Sequence, residues 1–154
     1  MRTRLLLCAA LATVSPALAQ TSSHGVKALD PPGAPKAVGA WGIGVRAGDF
    51  IFVAGMQGTD PKTGALEKEP EARIRRAFLN LKLIAESEGA DLHDCVRITI
   101  YLSDLHRHAG MVDKIQAEIW GKPPYPPRSM FEVQRLFDDD IIEIESTFYA
   151  PLKK

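Results

Sequence analysis

Cysteine is nearly missing from this chain: 154 residues carry only Cys8 and Cys95. Cys8 falls in an N-terminal run read as a cleaved signal, so Cys95 is left alone and an intramolecular disulfide is excluded. An excess of either charge is also missing, with 19 basic and 19 acidic side chains and no basic block. That balance offers nothing to a phosphate backbone and argues against nucleic acid as a partner, and so against ribonuclease action. No apolar run is long enough to cross a membrane; the longest candidate, Leu5 to Val14, is too short. Metal-ligand spacing is absent: His106 and His108 stand two apart with no third ligand near, and His93 is isolated. All three read as solvated surface. Ser103 and Ser129 have no accompanying His-Asp pattern, which removes a hydrolytic serine. No internal repeat is present.

What is present begins with a leader. Arg2 and Arg4 precede the apolar run, Ser15-Pro16 breaks it, and Ala17-Leu18-Ala19 has the form of a small-residue cleavage site. Residues 1–19 are therefore expected to be a secretory signal peptide, with the mature chain exported, most simply to the periplasm, and not held by the membrane. Cleavage after Ala19 leaves 17 basic and 19 acidic side chains, a charge of −2. Residues 20–37, rich in Pro, Gly, Ser and Ala, predict a flexible leader. Residues 38–154 form the domain.

Within the domain, Trp41 to Val45 and Phe50 to Ala54 predict a hairpin, with Gly55 ending its second strand. Asp60-Pro61-Lys62-Thr63-Gly64 is a turn. Glu69 to Glu88 predicts a helix with Pro70 in its first turn, Gly89 as its stop, and Ile74, Phe78, Leu81 and Ala85 on one face. Arg73, Arg75, Arg76 and Lys82 would form its solvated side. Val96 to Leu102 is β-branched and alternating, a strand. A second helix spans roughly His108 to Trp120, stopped by Gly121 and Pro123-Pro124. Ser129 to Val133 and Ile141 to Phe148 complete the sheet. In the last strand Ile142, Ile144, Ser146 and Phe148 share one face, and Glu143, Glu145 and Thr147 the other. The order β-β-α-β-α-β-β implies an α+β domain, one sheet with both helices on one face. The uncovered face then calls for a partner subunit.

Pro126-Pro127-Arg128-Ser129 is the most informative stretch. Two prolines stiffen the backbone that delivers Arg128 to the start of a strand. A guanidinium on a stiff support suits a small carboxylate or phosphate. The alternative for Arg128 is a salt bridge with Glu132 or Asp138. For Glu143 it is an exposed strand carboxylate, and for Trp41 plain packing. Glu145 reads as structural, Asp138-Asp139-Asp140 as a turn, and Cys95 as a small buried hydrophobe.

Several segments in order carry a resemblance. They are Val38-Gly39-Ala40-Trp41, Ile51 to Gln57, Asp60 to Gly64, Asn80-Leu81-Lys82, Val96 to Leu102 with Asp104-Leu105, Pro127-Arg128-Ser129, and Ile142-Glu143-Ile144-Glu145. Over about residues 30–150 the chain resembles the reactive intermediate deaminase family (RidA, YjgF or L-PSP endoribonuclease-like). The resemblance implies a chorismate-mutase-like fold, a homotrimer with sites in clefts between subunits, and no metal or organic cofactor. It implies hydrolysis of reactive imines and enamines bearing a carboxylate, to 2-keto acids and ammonia. By position, Arg128 matches the carboxylate anchor and Glu143 the acid that holds the attacking water. The backbone carbonyl of Met130 shares that water, and Gly55 supplies a backbone contact to substrate. Trp41 stands in place of a tyrosine on the cleft wall, Ala54 in place of a small hydroxyl residue, Met130 in place of a cysteine, and Val112 in place of an asparagine. These four replacements make the expected cleft more apolar. They also motivate a second reading, a ligand-binding or holdase protein without catalysis on the same trimer.

Overall fold

The computed structural model describes residues 21–152, so the expected signal peptide lies outside the described residues. Six strands and two helices follow in order: β1 (Val26–Ala28), β2 (Gly44–Ala47), β3 (Phe50–Met56), α1 (Pro70–Ser87), β4 (Cys95–Leu102), α2 (Leu105–Trp120), β5 (Arg128–Glu132) and β6 (Ile142–Tyr149). They form one sheet in the order β1-β2-β3-β6-β4-β5. Every neighbouring pair is antiparallel except β4 and β5, which run parallel. A parallel pair needs a crossover, and α2 is that crossover.

Side-chain alternation decides which face is covered. On β6, Ile142, Ile144, Ser146 and Phe148 are buried, and the register places Ile98, Ile100 and Leu102 of β4 beside them. Ile74, Phe78, Leu81 and Ile84 of α1 and Val112, Ile115 and Trp120 of α2 close over this face. Trp120 meets Phe78 edge-on at 5.9 Å, and its indole N–H donates to the Leu92 carbonyl. The opposite face is open. Phe50, Phe52, Phe131 and Tyr149 are exposed there, alongside Glu143, Glu145, Thr147 and Tyr101. The α+β architecture with both helices on one face is the one expected.

The helix ends have local causes. Asp104 caps α2 by accepting from the Arg107 N–H at 2.9 Å, which starts the helix three residues before the expected His108. Pro70 occupies the first turn of α1, and Gly89, at φ +82°, ends it.

The expected flexible leader is corrected in its described part. Val26–Ala28 is a strand paired with β2, and Leu29 and Ala34 are buried in the core. The segment is fixed because its few apolar residues find a sheet edge and a core to join. Behind it, Arg46 is buried and donates to Glu88 Oε2 at 2.9 Å, to the Glu88 carbonyl at 2.6 Å and to the Ala150 carbonyl at 2.8 Å. Lys27 of β1 joins the same carboxylate at 2.7 Å. One arginine thus ties β2, the end of α1 and the end of β6 together.

Candidate active site

Glu143 is half-buried on the open face, beside an irregularity in β3. Between Val53 and Met56, β3 advances three residues while β6 advances two, from Ser146 to Ile144. This bulge brings Gly55 under the Glu143 side chain. A methyl group at Gly55 would lie 2.1 Å from Glu143 Oε1 and 2.5 Å from its carboxyl carbon. Only a residue without Cβ lets the carboxylate lie there. Burial first, then Asp140 and Glu145, push the Glu143 carboxyl above its ordinary range. A carboxylate raised in this way is a better proton acceptor at neutral pH.

The support around Glu143 is polar and fixed. Asp140 is buried just before β6, where it accepts from the Gly58 N–H at 3.1 Å and the Ile141 N–H at 2.6 Å. Arg73 stands 3.6 Å from it. Burial nevertheless leaves the Asp140 carboxyl raised. Asn80, buried on α1, donates to the carbonyls of Gln57 and Thr59 at 3.0 and 2.8 Å. Gln57 in turn donates to the Phe137 carbonyl at 2.7 Å. The loop after β3 and the turn before β6 are therefore locked side by side. Arg73, expected on the solvated face of α1, is corrected: its side chain is drawn inward to Asp140 and to the Glu67 carbonyl at 2.6 Å.

Trp41 and Gly55 line one cavity of about 330 Å³, together with Val38, Gln57 and Phe137. Ala54, next to Gly55, is half-buried against the core, and its N–H donates to the Ile43 carbonyl.

Arg128 occupies a different place. Its Nη1 donates to Gln116 Oε1 at 2.7 Å and its Nη2 to Asp113 Oδ1 at 2.6 Å. The side chain thus lies on the helix face, held by α2 rather than by Glu132 or Asp138. Glu132 instead accepts from the Leu105 N–H at the start of α2. Arg128, Asp113, Gln116 and Tyr125 line a second cavity of about 400 Å³. Met130, two residues on, is half-buried against the core on the same face as Arg128.

Register fixes the distance between the two centres. Arg128 pairs with Ile98, Ile98 pairs with Ser146, and Ser146 is three residues from Glu143. Two strand spacings and three residue rises separate their Cα atoms by roughly 14 Å, on opposite faces of the sheet. A single chain does not bring Arg128 and Glu143 together.

Val112, expected on the cleft wall, is corrected. It is fully buried on α2 with Ile115, facing the sheet core, and reaches neither cavity. His108, expected on the surface, is buried as well, with Nδ1 lacking a partner. Sequence alone does not single out Asp113 or Gln116, and it gives Asn80 only within the segment Asn80-Leu81-Lys82, with no role attached. Asn80 carried a signal: it is a polar residue inside the apolar stripe of α1, and a buried amide there needs partners. Asp113 and Gln116 stand three apart, the spacing that puts two side chains on one helix face, but nothing in the sequence says which arginine they meet.

Comparison with known proteins agrees with this fold. The model of the family described as Endoribonuclease L-PSP matches residues 32–149. A RutC family protein of Pyrococcus horikoshii is 38% identical over 117 residues, 75% of this chain and 91% of that one. The 2-iminobutanoate/2-iminopropanoate deaminase of Salmonella typhimurium is 34% identical over 121 residues, covering 78% of this chain and 94% of the relative. A probable translation initiation inhibitor of Rhodopseudomonas palustris has a solved structure that superposes with a TM-score of 0.81 at 45% identity. That match covers 83% of this chain and all of the other. With a family match over most of its length and a shared fold, the chain belongs to the L-PSP endoribonuclease family, also known as RidA/YjgF.

Proposed function

We propose that the protein hydrolyses reactive 2-imino acids, and the enamines that tautomerise to them, to 2-keto acids and ammonia. The observation that carries this reading is the Glu143 carboxylate, raised by burial and laid over Gly55 at a bulge. The naming of a 34% identical relative as a 2-iminobutanoate/2-iminopropanoate deaminase supports it.

The chemistry follows from the groups. A protonated imine carbon is electrophilic. Glu143 orients a water and takes its proton as the oxygen adds to that carbon, giving a carbinolamine. The same proton then passes to the nitrogen; as the C–N bond breaks and ammonia leaves, Glu143 takes the proton of the carbinol O–H, that oxygen becomes the keto oxygen, and the proton leaves with ammonia as ammonium. Proton transfer of this kind is worth on the order of 10²–10⁴-fold. Arg128 holds the substrate carboxylate, as its two terminal nitrogens suit a bidentate pair. The separation of Arg128 from Glu143 within one chain supports a site completed by two copies, Arg128 from one and Glu143 from the next. The uncovered aromatic face of the sheet supports a homotrimer as the assembly that does so.

The test is keto-acid release from imines generated in situ by an amino-acid oxidase, compared with spontaneous hydrolysis. Wild type should accelerate release. Glu143→Gln should lose at least about 10²-fold, and Arg128→Ala should lose turnover of carboxylate imines. A folded protein without acceleration, or full activity in Glu143→Gln, overturns the reading. The first of those results, with saturable binding of small acids retained, favours the non-catalytic binding protein.

A further inference from the structure

We propose that the preferred substrates are 2-imino acids with bulky apolar side chains, branched aliphatic or aromatic, rather than the three- and four-carbon imines. This rests on the deaminase reading and names which members of that class the site selects.

The argument starts from side chains that ought not to be bare. Val38 is 79% exposed, Trp41 49% and Phe137 63%. They come from two segments almost a hundred residues apart, yet all three open on the one cavity of about 330 Å³ that Gly55 also lines. Exposed apolar groups scattered singly need no explanation, but three that converge on a concave surface beside a half-buried carboxylate mark a place for an apolar ligand group. A three-carbon imine would leave most of that volume to water and those walls wet.

The backbone behind the Phe137 side of the cavity is also held in place before any ligand arrives. The Trp41 ring folds back on Gly39, where a methyl group would lie 3.2 Å from the indole. The Phe137 carbonyl accepts from the Gln57 side chain at 2.7 Å and from the Asp140 N–H at 3.2 Å. Asn80 fixes the backbone of Gln57 and Thr59 from beneath. A backbone already fixed behind apolar side chains leaves less to order when a ligand buries them. The charged groups on the lining are Lys36, Lys62 and Asp138; Lys36 is already paired with Asp30 at 2.5 Å. Cations and an acid together give no consistent preference for a charged side chain.

The experiment measures kcat/KM, above spontaneous hydrolysis, for imines generated from alanine, leucine and phenylalanine by an amino-acid oxidase, using the full assembled protein. A methylene in an apolar pocket is worth roughly 10- to 200-fold in discrimination. The leucine- and phenylalanine-derived imines should therefore exceed the alanine-derived one by at least about tenfold. In Trp41→Ala and Phe137→Ala that ratio should fall toward one, while Trp41→Phe and Phe137→Leu should restore much of it. Equal or better turnover of the alanine-derived imine by wild type overturns the proposal and leaves the deaminase reading standing. An unchanged ratio in both alanine variants does the same. No turnover of any imine by wild type overturns both.

Discussion

Replacing Gly55 by alanine should separate catalysis from stability. The added methyl would sit 2.1 Å from Glu143 Oε1, 2.5 Å from the carboxyl carbon and 2.7 Å from Cγ. All three atoms belong to the outer part of a side chain that can rotate, and the Gly55 backbone lies outside the left-handed region, so alanine fits its conformation. The structural cost is that of turning the Glu143 side chain aside, about 0.5–1.5 kcal/mol where it is left about 30° off its rotamer. Restricting the unfolded chain recovers about 0.4–1 kcal/mol. Net stability should therefore change by less than about 1 kcal/mol. Glu143, however, must leave the position from which it would hold water, and a displacement of about 1 Å at a reacting group can cost 10²-fold. That corresponds to about 2.7 kcal/mol of barrier. The control is Gly44→Ala, where the methyl would meet the Phe52 carbonyl oxygen, a backbone atom of the adjacent strand, at 2.8 Å. Backbone cannot swing aside, so that variant should lose about 1–3 kcal/mol through overpacking. Imine turnover and thermal unfolding, measured on both variants, decide the matter. Near-wild-type turnover in Gly55→Ala, or a loss of stability matching that of Gly44→Ala, would refute the argument.

Further expectations follow from other contacts. Asp113 occupies the Arg128 Nη2 that a substrate carboxylate would need in the proposed reaction, and as a largely exposed partner it holds weakly, so Asp113→Asn should lower KM for imino acids by up to about fivefold; a higher KM would show that Asp113 assists binding instead. Arg46→Ala removes the buried guanidinium from Glu88, which keeps Lys27, and leaves the Ala150 carbonyl without its donor, so it should cost about 1–3 kcal/mol by chemical denaturation. His108 is held below its ordinary pKa of 6.5 by burial and then by Arg107. The folded state therefore binds fewer protons than the unfolded one. Its stability is fully present above pH 6.5 and declines as pH falls below it. His108→Gln should flatten that decline in denaturation midpoints measured from pH 8 to pH 5. Because Glu143 is raised, the acid limb of the kcat/KM profile should lie above the ordinary carboxylate range and shift when Asp140 is replaced by asparagine.

Much of the scaffold was legible because its periodicity is unmixed. The β4 and β6 alternation and the α1 stripe each point to one element, and the observed bounds differ from the expected ones by a residue or two. The short strand Val26–Ala28 was not legible: three residues among glycines and prolines carry no period, and only the free edge of β2 gives them a role. The family pattern names Glu143 and Gly55 as candidate site residues, but their contact depends on a bulge that shifts register by one residue. The same pattern names Arg128, while its placement on the face opposite Glu143 follows from strand order and the parallel pairing of β5, which sequence spacing does not encode. Val112 misleads because a position in an aligned motif says nothing about which way a helix has turned.

The one cysteine among the described residues has a consequence for where such a domain can work. Cys95 is buried beside the Arg97 carbonyl, and burial pushes its pKa to about 11. At neutral pH only about one molecule in 10⁴ carries the thiolate. Such a sulfur neither attacks a disulfide nor meets an oxidant at a useful rate. Among the described residues the domain therefore needs no oxidase or isomerase, and Cys95 gives it no cross-link between subunits in a reducing or an oxidising compartment.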